Sequence, residues 1–193
     1  MKKEDIDMAL KSLQEVNGGA ILPSRMYTHI PNAAAELRDC LARLTGKYTW
    51  LPEYDKVADW LENNDGKGLL CIGNCGRGKT MMCYRVIPIL LYHFAHKIVS
   101  CYDAVDINAK IDVMKQKHII CVDDIGTESD YLVYGVRRQP LAELIDSAEK
   151  RGSLLLLTTN LTTDDLEEKY GIRVLDRLKR VTKVIHFVGN SLR

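Results

Sequence analysis

Apolar residues follow two rhythms along this chain. Five short runs are apolar almost without a break: Leu69 to Ile72, Ile98 to Tyr102, His118 to Val122, Leu154 to Leu157 and Val184 to Val188. Unbroken runs of this length suit strands buried on both faces, as in a parallel sheet, better than alternating ones do. Between and before them the apolar positions recur every three to four residues, which predicts helices. Ile6, Ala9, Leu10, Leu13 and Val16 make one stripe over 4–16, ended by Asn17-Gly18-Gly19. Residues 20–31 read as a loop with Pro23 and Pro31. Asn32 is a candidate N-cap for a second helix carrying Leu37, Cys40, Leu41 and Leu44, with Gly46 at its end. Pro52 suits the first turn of a third, which runs to about Asn63 and turns Val57, Trp60 and Leu61 inward. Asn64-Asp65-Gly66 is a turn.

Beyond the first strand, helices are expected over Lys79–Ala95, bent near Pro88, over 104–116, and over about 138–150 with Gly152 as cap. Two more follow, Thr163 to Tyr170, capped by Thr163, and 173–180. Strands alternating with helices imply a parallel sheet covered on both faces, an α/β sandwich. No repeat or low-complexity segment interrupts the pattern.

The chemistry begins where the first strand ends. Gly73-Asn74-Cys75-Gly76-Arg77-Gly78-Lys79-Thr80 has the spacing G-x-x-x-x-G-K-T, between a strand and a helix. Glycines let the backbone turn its N–H groups onto phosphates without Cβ clashes. The helix start adds unpaired N–H groups and a positive dipole end. Lys79 is assigned to the β- and γ-phosphates and Thr80 to Mg2+. The candidate nucleotide-binding set is Gly73, Asn74, Cys75, Gly76, Arg77, Gly78, Lys79, Thr80 and Met81, with Arg173 added from the fourth motif below.

Three later motifs sharpen this. The strand His118 to Val122 delivers Asp123 and Asp124 to its carboxyl end. Asp123 suits the second Mg2+ ligand, and Asp124 suits a base for a water attacking the γ-phosphate. Thr158-Thr159-Asn160 ends the next buried strand, where Asn160 can orient that water. Arg173 and Arg177 lie four apart on one helical face, and either can point at a phosphate in its own site or in a neighbouring subunit. One complete strand lies between the phosphate loop and Asp123. That separation marks the hydrolytic P-loop classes and counts against most nucleotide kinases.

Net charge is +1, which by itself favours neither nucleic acid nor a membrane as partner. The basic residues collect late, with Arg173, Arg177, Lys179, Arg180, Lys183 and Arg193 against Asp176 alone after Gly171. The charged start Met1-Lys2-Lys3-Glu4-Asp5 lacks the apolar run of a signal peptide, and no apolar stretch has the length of a membrane span. The six cysteines form no C-x-x-C pair and read as reduced thiols in a cytoplasmic protein.

Taken together, Val57 to Leu61, Asn64 to Thr80, Cys121 to Glu128, Leu157 to Leu161 and Tyr170 to Leu178 resemble the DnaC/IstB-type AAA+ ATPases over roughly 55–190. That family includes bacterial and phage replicative helicase loaders and the ATPase helpers of certain transposases. The resemblance implies a P-loop αβα core with a five-stranded parallel sheet of order 5-1-4-3-2 and no C-terminal lid. It divides the chain into a helical N-terminal extension, 1–50, and an ATPase core, 51–193. It implies ATP with Mg2+, hydrolysis in a ring or spiral of subunits, and Arg177 as a finger on the neighbour's ATP. Its implied partners are a replicative DNA helicase or a transposase, with single-stranded DNA. Only about fifteen residues join the second and third strands, which leaves little room for inserted DNA-gripping helices. Residues 1–20 are the expected partner contact and 32–63 are expected to pack on the core. The two other readings are a transposition helper acting as an ATP-dependent scaffold and a P-loop small-molecule kinase.

Overall fold

A computed structural model describes residues 3–17, 24–129, 131–133 and 136–192. Five parallel strands form the central sheet: β1 (Gly68–Gly73), β2 (Ser100–Asp103), β3 (Ile119–Asp123), β6 (Leu154–Thr159) and β7 (Thr182–Phe187). Their spatial order is β2-β3-β6-β1-β7. Counting only these five, that is the expected 5-1-4-3-2. Leu69 pairs with Leu156 and Cys71 with Thr158 on one side of β1, and Leu69 pairs with Lys183 on the other.

Because successive strand residues face opposite ways, each apolar run feeds two cores. Leu69, Cys71, Ile119, Cys121, Leu154 and Leu156 pack with α2 (Ala33–Thr45), α3 (Pro52–Glu62) and α5 (Ile87–Ala95). Leu70, Ile72, Ile120, Val122, Leu155 and Leu157 pack with α6 (Ile107–Met114), α7 (Pro140–Arg151), α8 (Thr163–Tyr170) and α9 (Ile172–Val181). Residues 4–12 of α1 (Lys3–Asn17) are exposed. Gly18, Gly19 and the first residues of the expected 20–31 loop lie outside the described residues.

Several local expectations need correction. Asn32 sits in the left-handed region and caps nothing with its side chain; the first N–H of α2, on Ala33, bonds instead to the Glu62 carboxylate at 3.2 Å. Thr162, one residue earlier than expected, caps α8 in a reciprocal box with Asp165. The helix after the phosphate loop begins as α4 (Lys79–Met81), widens into a π-helical turn over Met82–Val86 and only then becomes α5. Pro88 lacks an N–H and its ring crowds the carbonyl four residues back, and the wider turn lies over the residues that precede it. A 3-10 turn, Ala104–Asp106, opens what was expected as one helix from 104. The antiparallel hairpin Tyr131–Val133 (β4) with Val136–Arg138 (β5) was not anticipated. No helix among the described residues is long and apolar enough to cross a membrane.

Candidate nucleotide site

β1 stops at Gly73, whose φ of 146° puts the loop where a Cβ would come within 1.9 Å of the Phe187 carbonyl oxygen. No other residue type fits there, and the loop therefore lies directly on the end of β7. At its far end Lys79 opens α4 and folds back beneath the loop. Its ammonium donates to the carbonyls of Gly73 (2.6 Å) and Asn74 (2.8 Å) and to Asn160 Oδ1 (2.9 Å). The side chain is only 6% exposed, and burial pulls its pKa below the ordinary lysine value.

The acidic side of the site is built by β3 and β6. Thr80 Oγ1 lies 3.0 Å from each carboxylate oxygen of Asp123. A hydroxyl and a carboxylate facing each other make an oxygen donor set of the kind Mg2+ takes alongside substrate phosphates, so the residues present fit that ion. Among the described residues no group of three or more His, Cys, Asp or Glu is placed to hold a metal. Asp124 occupies the left-handed region at φ 60°, a conformation Asp tolerates better than most residues. Two bonds hold it there: its N–H donates to Thr158 Oγ1 at 2.8 Å, and Asn160 Nδ2 donates to its Oδ1 at 2.7 Å. The Thr158 hydroxyl also donates to Asp123 Oδ1 at 2.5 Å. One hydroxyl on β6 thus sets both acids, Asp123 at the end of β3 and Asp124 just after it.

Thr158 was legible only as part of a strand-end motif whose role went to Asn160. Its replacement by valine keeps the shape and deletes the hydroxyl. That leaves the Asp124 N–H without its partner and frees Asp123. The expected outcome is a loss of about 1–3 kcal/mol in urea unfolding, accompanied by a larger fall in nucleotide turnover than Thr159→Val produces.

A cleft of about 880 Å³ opens over these groups. The loop from Cys75 to Gly78, then Lys79, Thr80 and Met81, line one side, and Asp123, Asp124, Thr158 and Asn160 line the base. The opposite wall comes from Leu41, Thr45, Tyr48, Thr49 and Tyr54, on α2, α3 and the chain between them. The motifs carried no signal for that wall. It is built by packing: Arg38 stacks on Trp50 at 3.6 Å, and Trp50 meets Tyr54 edge-on at 5.6 Å. Arg77, expected at the nucleotide, contributes its backbone to the loop but pairs its side chain with buried Glu53 on α3. Arg173 and Arg177 are exposed on α9 and do not line this cleft; Arg177 pairs with Asp146 on α7 at 2.9 Å. Behind Asp124, the Glu128 carboxylate accepts from the Gly126 N–H and the Tyr170 hydroxyl, and Lys169 donates to the Gly126 carbonyl. These contacts brace the loop that follows the acids.

No protein-family model and no curated protein matches the sequence. Solved structures match the fold. The DnaC helicase loader aligns with a TM-score of 0.59 at 18% identity, over 75% of this chain and 96% of that one. DnaI aligns at 0.52 and 19% identity, over 66% and 73%. AMPPCP-bound DnaA from Aquifex aeolicus aligns at 0.53 and 11% identity, over 72% of this chain and 48% of that one. This chain shares their fold, a five-stranded parallel sheet covered by helices. In this arrangement the glycine-rich loop follows the strand between β6 and β7, and the paired acids stand at the end of the strand beyond β6.

Proposed function

We propose that this protein binds and hydrolyses ATP and acts as a loader of a replicative DNA helicase. One observation carries the reading: Lys79, the Thr80–Asp123 pair and the Asp124–Asn160 pair converge at the carboxyl ends of three adjacent strands, β1, β6 and β3. The likeness of the fold to the DnaC helicase loader and to DnaI supports the choice of client.

In this reading the loop amides and the Lys79 ammonium receive the phosphates. Thr80 and Asp123 hold Mg2+, which when bound neutralises phosphate charge. Asp124 accepts the proton of the attacking water, and Asn160, anchored to both Lys79 and Asp124, orients it. Arg177 lies outside its own cleft and serves a neighbouring subunit's site in a ring or spiral.

The test is helicase loading onto closed circular single-stranded DNA, scored with and without ATP alongside phosphate release. The expected result is slow hydrolysis by the protein alone and ATP-dependent deposition of the helicase on the circle. Transfer of the γ-phosphate to a metabolite would overturn the reading in favour of a kinase. ATP-dependent capture of a transposase, with no effect on the helicase, would replace it with a transposition helper.

A further inference from the structure

The Arg77 side chain turns away from the cleft into a buried cage. Its guanidinium pairs with the Glu53 carboxylate at the start of α3, Nε lying 3.1 Å from Oε1, and Nη1 donates to the Asn190 carbonyl at 3.2 Å. Arg77 is 8% exposed and Glu53 4%. Burying such a pair is expensive in desolvation and is weak evidence of a gain in stability. Its visible effect here is to hold a segment in place. Gly189 to Leu192 leaves the end of β7 and runs along the phosphate loop, with Leu192 at the edge of the cleft. The Leu192 N–H donates to the Gly76 carbonyl at 3.0 Å, and the Asn74 amide reaches the Gly189 carbonyl at 3.5 Å. The approach is so close that a Cβ on Gly76, at φ 77°, would lie 2.1 Å from Ser191 Oγ.

A trans peptide points its carbonyl and its N–H in opposite directions within one plane. Tying the Gly76 carbonyl to Leu192 therefore fixes the Arg77 N–H in the opposite direction. The next peptide is held too: the Tyr54 hydroxyl, on the facing wall of the cleft, donates to the Arg77 carbonyl at 3.4 Å and so fixes the direction of the Gly78 N–H. A cradle for an anion needs consecutive N–H groups held in fixed directions, and carbonyls tied to Leu192 and Tyr54 fix those directions before any ligand arrives. We infer that the segment Gly189–Leu192, locked by the Glu53–Arg77 pair, is a positioning strap that presets the phosphate loop for its anion. The inference rests on the nucleotide reading of the cleft.

Leu192→Pro tests it by deleting one N–H while keeping apolar bulk; Leu192→Ala keeps the N–H and removes the bulk. Arg77→Lys keeps the charge but has no fork to serve Glu53 and Asn190 at once. The readouts are affinity for ATP with Mg2+ and for bare tripolyphosphate, with the thermal midpoint as control. Leu192→Pro and Arg77→Lys are expected to weaken both ligands about tenfold, the worth of roughly one hydrogen bond. Leu192→Ala is expected to stay within about twofold of wild type, and the midpoints of the Leu192 variants to hold. Wild-type affinity in Leu192→Pro and Arg77→Lys would overturn the strap. So would a loss in Leu192→Ala equal to that in Leu192→Pro, or a loss confined to ATP, since either assigns Leu192 to the base. A wild-type protein that binds neither ligand would overturn the nucleotide reading and the strap together.

Discussion

Lys79→Ala is expected to lower ATP turnover by about 10²- to 10³-fold, the scale of removing one preorganised charge from a transferring phosphoryl group. The ammonium is buried and holds two loop carbonyls and Asn160. Asp124 and Asp123 nearby already favour its protonated form against the burial that opposes it, and the negative charge of an incoming phosphate would add to that. Alanine removes that attraction and also releases Asn160 from one of its two anchors. Phosphate release at saturating ATP measures the effect. Lys79→Arg is expected not to rescue it, because a planar guanidinium needs more room than the 6% exposed lysine leaves. The fold should survive. A lysine whose folded pKa lies below its unfolded one lowers stability while it is charged, and that penalty fades as pH rises through the unfolded value. Its removal therefore deletes a penalty at neutral pH, and circular dichroism should show native helix content in Lys79→Ala. Turnover equal to wild type would overturn the assignment.

Arg177→Ala is expected to bind ATP normally and to lose about 10³-fold or more in turnover, as when an arginine finger is removed. The side chain is 47% exposed and its partner Asp146 also pairs with Lys150. Surface pairs of this kind contribute about 0–1 kcal/mol, so stability should hardly change. A mixing experiment decides whether Arg177 acts in its own subunit or in the next. Lys79→Ala protein offers an intact arginine, and Arg177→Ala protein offers an intact phosphate loop. Combining two inactive variants is expected to restore part of the turnover at interfaces where the two intact halves meet. A mixture as inactive as its components would sink the shared site, as would full activity in Arg177→Ala alone.

The sheet was legible because buried parallel strands are written as unbroken apolar runs, and the motifs at their ends supplied the residues of the candidate site. Lys79, Thr80, Asp123, Asp124 and Asn160 meet as the spacing implied. Residues whose work depends on partners distant in sequence stayed hidden. Glu62 caps α2 because α3 happens to pass its end, and nothing in the local pattern around Asn32 announces that. Arg77 sits inside the phosphate-loop motif, yet its side chain answers to Glu53 and Asn190, which are remote in the chain. Thr158 was read only as part of a strand-end motif whose role fell to Asn160, and only the packing of β3 beside β6 shows its hydroxyl bridging two acids. The π-helical turn escaped notice because Pro88 signals a break in helical bonding without saying how the helix absorbs it.

The strand order also bears on how the molecule comes into being. β1 lies between β6 and β7, so the strand that launches the phosphate loop has neither hydrogen-bonded neighbour until Leu154–Thr159 has been synthesised. Parallel pairing across such a separation must close a long loop before any contact rewards it, which makes for slow assembly. A growing chain that already contains Gly73–Thr80 still lacks Asn160 beneath Lys79 and the β7 end that backs the loop. On the proposed reading of the cleft, a chain that ends before Leu154 would lack the supports that hold Lys79 and the loop in place, and with them a formed site for nucleotide.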